Sequence, residues 1–270
     1  MEEPEHHLHR SSMDDQTKTK YTPVTHVIFE LDGILLDTFE IQKKRLNHVF
    51  FTKRGIKIKP ESWYTIQGQS DEDQINVLYD EYCLKKFPRR IRESPHTLLN
   101  EYRSGTMLDY LLCDIMPGAR RLVSHLKHFD IPMAICSSTT PQFYSKKIRN
   151  HYQFFDCNFH HATLLGITTP NGKPSSDLHI QCARDFNPED PPQLSKCLAF
   201  EASMAGTAAA ITSDMQVVMV PNSFLMGSKL MKYPTIAIRH LDDFIPEMFG
   251  LPPYCECANS KQINEIVRTY

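Results

Sequence analysis

Five short stretches dominated by apolar residues, 24–29, 132–136, 197–200, 217–220 and 235–238, constrain this chain more than any other feature. Runs of this length without strict polar alternation suit strands buried on both faces. Helical patterns at 117–129, 141–149, 175–186 and 204–213 fall between the later runs, with apolar residues three and four apart. Strand alternating with helix predicts an α/β fold built on a doubly wound, Rossmann-like parallel sheet.

Between about residues 41 and 116 the texture changes. Ile75, Leu78, Tyr79 and Tyr82 keep helical spacing, but no strand-like run occurs. This stretch is expected to form a small α-helical cap, 41–115, inserted into a core made of 23–40 and 116–254. It would lie over the carboxyl ends of the strands, where open α/β sheets bind ligands. The crossings are expected near 38–44 and 113–118, with Pro117-Gly118 as a hinge. Residues 1–22 read as a disordered tail and 255–270 as a C-terminal extension.

Composition narrows the function classes. The 270 residues carry a formal net charge of −2, which argues against a nucleic-acid footprint. No apolar run is long enough for a membrane span, and the polar, acidic N-terminus lacks the pattern of a signal peptide. The eight cysteines are scattered, several within apolar segments, which fits reduced thiols and a cytoplasmic setting.

The first run ends in "FELDGILLDT", which places Glu30 and Asp32 two residues apart at a glycine turn. Alternate residues of an extended strand share a side, and Gly33 lets the chain turn away tightly. Two close carboxylates repel unless a cation neutralises them, and hard oxygen ligands suit Mg²⁺. The competing reading is local: Asp32 starts a turn, and Asp37-Thr38 caps the next helix. Three later stretches favour chemistry. "MAICSST" ends a strand at Ser137, "NGKPSSD" offers Lys173 just ahead of a helix start, and "KCLAFEAS" ends a strand at Glu201.

Together these motifs resemble a haloacid dehalogenase (HAD) superfamily phosphatase, within it the pseudouridine-5'-phosphatase-like subgroup. The resemblance covers 24–254, including "MPGARRLVSHLKHFDIP" and "MQVVMVPN". It implies a nucleophilic carboxylate at the position of Glu30 and a general acid/base at Asp32. It also implies a phosphate-binding set of Ser137, its neighbour Ser138, and Lys173. The implied metal set is Glu30, Asp32 and Glu201, holding Mg²⁺. "IQGQSDEDQ" resembles the substrate-specificity loop, with Gly68 followed by Gln69 where a Lys or Arg is common. Asp71 to Asp73 also read as ordinary first-turn acids.

Two positions depart from the pattern. Glu30 stands where Asp is expected, and its extra methylene displaces the carboxylate by about 1.5 Å. A misplacement of about 1 Å can cost on the order of 100-fold in rate. Ala202 stands where a metal-ligating Asp is expected. Mg²⁺ binding is therefore expected to be weakened or absent.

Two readings stay open. One is a phosphatase-family protein for a small phosphorylated metabolite, a sugar or nucleoside monophosphate, with catalysis lost or strongly reduced. The other is an active Mg²⁺-dependent phosphomonoesterase. Neither identifies a protein partner. Other conspicuous residues have plainer readings: His6, His7 and His9 belong to the tail, and Cys255 and Cys257 lack a second pair for zinc. His160 and His161, after a short predicted strand, pack or face solvent, and Trp63 belongs to the core of the insert.

Overall fold

The computed structural model describes residues 20–86, 92–165, 169–222, 225 and 229–254. The tail histidines, Cys255 and Cys257 lie outside these. Among the described residues the sheet has six parallel strands in the order β3-β2-β1-β4-β5-β6. They are β1 (His26–Phe29), β2 (Met133–Ser137), β3 (His161–Leu164), β4 (Cys197–Glu201), β5 (Gln216–Met219) and β6 (Ile236–Ala237). β1 is central and pairs with β2 on one side and β4 on the other. The chain thus reverses its direction of travel across the sheet at β1. That is the switch point beside which ligands bind in such sheets.

Every residue of β2 and β4 is buried, which is why their sequences carry no polar alternation. Phe29 and Phe200 stack across neighbouring strands with centroids 4.9 Å apart. Helix α5 (Ala119–His128) covers one face of the sheet with Leu122, Val123 and Leu126. Helices α8 (Asp177–Phe186) and α9 (Met204–Thr212) cover the other, where Leu178, Cys182 and Ala210 pack against Ile28, Ala134 and Ala199.

β3 is an addition to the five expected strands. Its segment "HATL" buries only its last two residues, so it lacks the apolar density that marks the others. His161 opens this strand rather than following one, and its Nε2 lies 2.9 Å from the Cys182 carbonyl oxygen. Residues 20–22 also differ from a loose tail. The Tyr21 N–H donates to the Met248 carbonyl at 3.0 Å, and its ring stacks on Phe249.

Between β1 and β2 the described residues from 39 to 112 form helices joined by short loops, with no strand among them. α1 (Phe39–Asn47), α2 (Pro60–Ile66), α3 (Asp71–Leu78) and α4 (Pro95–Asp109) enclose an apolar cluster of their own, including Leu46, Phe50, Leu78, Tyr82, Leu98 and Tyr102. Trp63 packs against this cluster. The helix starts are written in sequence. Ser70 and Ser94 accept from the N–H groups of Asp73 and Thr97, and Pro60 and Pro95 fill first-turn positions that need no donor.

The two crossings are hydrogen-bonded to each other. The Asp37 N–H donates to the Asp114 carbonyl at 2.9 Å, and the Met116 N–H to the Leu35 carbonyl at 3.0 Å. Among the described residues no helix is long and apolar enough to cross a membrane.

Candidate active site

The loop after β1 delivers the first acids. Gly33 adopts φ +82, and a Cβ there would stand 3.0 Å from the Ala202 methyl. The β1 and β4 strand ends therefore meet in close contact, and the residue expected to be a metal-ligating Asp contributes only that methyl. Both oxygens of the Glu30 carboxylate accept hydrogen bonds. Its Oε1 accepts from the Leu31 N–H at 2.7 Å, and its Oε2 accepts from the Lys173 ammonium.

Lys173 is buried beneath the strand ends. Besides Glu30, its ammonium donates to Glu201 Oε1 at 2.7 Å and to the Cys136 carbonyl at 2.9 Å. Three partners use all three donors of an ammonium. His179 Nε2 also meets Glu201 Oε1, at 2.8 Å. The second Glu201 oxygen lies against Gly206, where a Cβ would approach it to 1.8 Å. Glycine is required there because the carboxylate occupies the space a side chain would need.

Charge follows from this packing. Burial would raise Glu201, but Lys173 and His179 outweigh it and hold the carboxyl below its ordinary value. Glu30 has one cation and two acidic neighbours, so burial prevails and its pKa is raised. Burial would depress Lys173, yet Glu201 and Glu30 hold the ammonium protonated. For His179 burial is outweighed by Cys136 and Glu201, and its pKa rises to about 9.

Above this floor lies a cleft. Glu30, Asp32, Ser137, Ser138, Gly68 and Gln69 all line it, whereas Lys173 and Glu201 do not. The Ser137 hydroxyl accepts from the Thr139 N–H at 3.3 Å, and the Ser138 hydroxyl from the Lys173 N–H at 3.2 Å. The insert closes over these groups. Gln67 Nε2 donates to the Ala202 carbonyl at 3.4 Å, and Gly68 lies so close to Ser203 that a Cβ would come within 2.0 Å of its hydroxyl oxygen. The remaining space is about 30 Å³. That is room for about one or two water molecules.

Among the residues of the cleft wall that sequence reasoning missed, two are charged, Lys147 and Asp71. Lys147, the last residue of α6 (Pro141–Lys147), donates to Asp32 Oδ2 at 2.7 Å and to the Thr139 hydroxyl at 3.1 Å. A signal for it exists: Lys147 follows buried Phe143 by four residues, on the inward face of the helix. Asp71, read only as a first-turn acid, lines the cleft as well and pairs with Arg103 Nε at 3.4 Å. Burial raises its pKa against the lowering effect of Lys147 and Arg103. Thr38 occupies the N-cap position of α1 without a capping hydrogen bond. Its hydroxyl, Asp32 Oδ1 and Gln67 Oε1 are buried without a partner among the described residues.

A haloacid dehalogenase-like hydrolase family model matches residues 27–220. The chain belongs to that family. A probable pseudouridine-5'-phosphatase of Drosophila melanogaster is 30% identical over 238 residues, covering 86% of this chain and 96% of the relative. The (DL)-glycerol-3-phosphatase 2 of Arabidopsis thaliana is 31% identical over 236 residues, covering 86% and 93%. Among solved structures, CbbY from Rhodobacter sphaeroides in complex with phosphate shares the fold at a TM-score of 0.66 and 14% identity, covering 82% of this chain and 96% of that one.

Members of the family are expected to use Mg²⁺, and the donors of this chain do not fit that ion. Mg²⁺ demands near-octahedral oxygen ligands at about 2.0–2.1 Å. Both Glu30 oxygens and Glu201 Oε1 accept from N–H donors, Ala202 offers no donor atom, and of this set only Asp32 Oδ1 and Glu201 Oε2 are left without a partner among the described residues. Among the described residues no group of three or more His, Cys, Asp or Glu side chains is placed to hold a metal. Glu30 and Glu201 share the Lys173 ammonium, and Glu30 and Asp32 line the same cleft.

Proposed function

We propose that this chain binds a small phosphorylated metabolite, a sugar or nucleoside monophosphate, in the cleft beneath its helical insert, with phosphoester hydrolysis lost or strongly reduced. The observation that carries this is the state of Glu30: both carboxylate oxygens are occupied, one by a backbone N–H and one by Lys173. In-line attack needs an oxygen aimed at phosphorus at about 3–3.5 Å. Here the longer side chain folds its oxygens back onto its own strand end and the buried lysine.

Binding is supported by the other wall, where Ser137, Ser138 and Thr139 line the same cleft. A phosphorylated sugar needs more than the present 30 Å³. The helical insert therefore acts as a cap that swings on the two hydrogen-bonded crossings at 35–37 and 114–116. Asp32, with one oxygen lacking a partner, is the group placed to exchange a proton with a leaving alcohol. The second reading, an active phosphomonoesterase, draws support from the phosphatase names of relatives that match most of this chain.

Hydrolysis of a generic aryl phosphate, measured with and without Mg²⁺ alongside phosphate binding by calorimetry, separates the readings. Phosphate binding with turnover at the background rate is the expected result. Turnover at rates ordinary for a phosphatase would establish the second reading instead.

A further inference from the structure

The misfit between the donors of this chain and a metal ion raises a question of charge. A phosphate dianion entering the cleft meets Glu30, Asp32 and Asp71, and it needs a cation nearby to be held. Lys173 lies beneath the floor with its donors spent. Among the described residues that line the cleft, Lys147 is the one cation.

Lys147 is also unusual as a lysine, because its side chain is only 3% exposed. Burying an ammonium is costly unless it is paired. Its partners are Asp32 Oδ2, the Thr139 hydroxyl and the face of Tyr110 at 4.6 Å from the ring centroid, with the Asp71 carboxyl near enough to feel its charge. Two hydrogen bonds leave one N–H held only by a ring face. Thr139 belongs to the same loop as Ser137 and Ser138, so the ammonium stands beside the hydroxyls expected to receive a phosphate. α6 ends at Lys147, and a cation at a helix C-terminus is electrostatically favoured.

We propose that the Lys147 ammonium takes the place of a divalent cation in this cleft. The phosphate group of a ligand is received by Lys147 together with the 137–139 loop, and its binding requires Lys147 but no metal. The arrangement accounts for three observations at once. Asp32 is paired with an ammonium rather than a metal ion, Ala202 has no ligand to supply, and among the described residues the Lys147 ammonium makes two hydrogen bonds where it can make three. The inference rests on the proposed reading of the cleft as a phosphate site and adds the identity of its cation.

The test is calorimetric titration of the full chain with inorganic phosphate, once in EDTA and once in excess Mg²⁺. Affinities within about twofold of each other are expected. Lys147→Met should weaken binding about 10- to 100-fold in both buffers, the range for losing one charged hydrogen bond. Lys147→Arg should stay within a few fold of the parent. Phosphate binding that appears only with Mg²⁺ overturns this inference and leaves the phosphate reading standing. Absence of binding in both buffers overturns both. Unchanged affinity of Lys147→Met in EDTA assigns the anion to other groups and also overturns it. The comparison of buffers uses the parent protein alone, so it decides the need for a metal even if Lys147→Met does not fold, and a loss of affinity in folded Lys147→Arg equal to that expected of Lys147→Met would overturn the role of the ammonium charge.

Discussion

The floor and the wall of the cleft each pair a carboxylate with a lysine, and the two pairs differ in how completely they are satisfied. On the floor, Lys173 spends every donor on Glu30, Glu201 and the Cys136 carbonyl, and its side chain is wholly buried. On the wall, Lys147 pairs with Asp32, which keeps one unpartnered oxygen and is 20% exposed. The pairs begin two residues apart on the same strand end. A saturated, dry pair holds strands together, whereas an unsaturated pair facing a cleft has capacity left for a ligand.

The largest expected effect tests the floor. Lys173→Met leaves the buried Glu30 and Glu201 carboxylates without their shared cation, and breaking such a group costs about 3–5 kcal/mol. Urea unfolding should show that loss. Lys147→Met should cost less, about 1–3 kcal/mol, because Asp32 is partly exposed and water can reach it once its partner is gone. Equal losses for the two variants would break the distinction between floor and wall.

Next in size is the attempt to restore chemistry across both regions. Glu30→Asp shortens the carboxylate by one methylene and withdraws it from its contacts with the floor. Ala202→Asp adds an acid where the methyl now meets Gly33. Each alone should change aryl phosphate hydrolysis little, since the first leaves no added ligand and the second leaves the attacking oxygen out of place. Together they should exceed the product of the singles, by up to about 100-fold in kcat/KM with Mg²⁺. Full recovery in Glu30→Asp alone would show that Ala202 was never an obstacle.

A smaller effect concerns how the insert seats on the wall. Gly68 has φ +82 and faces the Ser203 hydroxyl, so Gly68→Ala adds both backbone strain and a clash. A loss of about 1–3 kcal/mol is expected. It should be read most clearly as faster proteolysis near the crossings, because the contact that fails is the one between insert and core. A variant as protease-resistant as the parent would mean the insert is held elsewhere.

The sequence made some of this legible for definite reasons. β1, β2, β4 and β5 are buried on both faces and so announce themselves as apolar runs. β3 is an edge strand with two half-buried residues, and it carries no such mark. Glu30 and Asp32 are visible because strand geometry fixes their spacing. The partners of Lys173 are not, since they lie 143 and 28 residues away in the chain. Lys147 hides beside Lys146 in "SKK", and only the helical face of Phe143 tells the two apart. Asp71 resembles any acid in a first helical turn until the fold brings Lys147 and Arg103 near it.

The smallest effect distinguishes the core from the insert by pH. In the core His26, His125 and His161 are partly buried, and burial is the main cause lowering each below 6.5. His26 faces His160, His161 faces Asp185, and His125 lies among Glu247, His128 and Arg121, so no acid fully offsets the burial. The folded state then binds these protons less readily than the unfolded chain, and stability falls as pH drops below about 6.5. In the insert the shift is again downward, but charge rather than burial causes it. Burial would raise Glu101, but Arg54 and Lys53 outweigh it and hold the carboxyl below 4.5. That contribution is present above pH 4.5 and is lost only as pH falls through the lowered value. Hydrogen exchange followed from pH 7 to 5 should therefore show protection declining in β1, β3 and α5 before it declines in α4. Loss of protection in α4 first would place the acid-sensitive contacts in the insert and reverse the assignment.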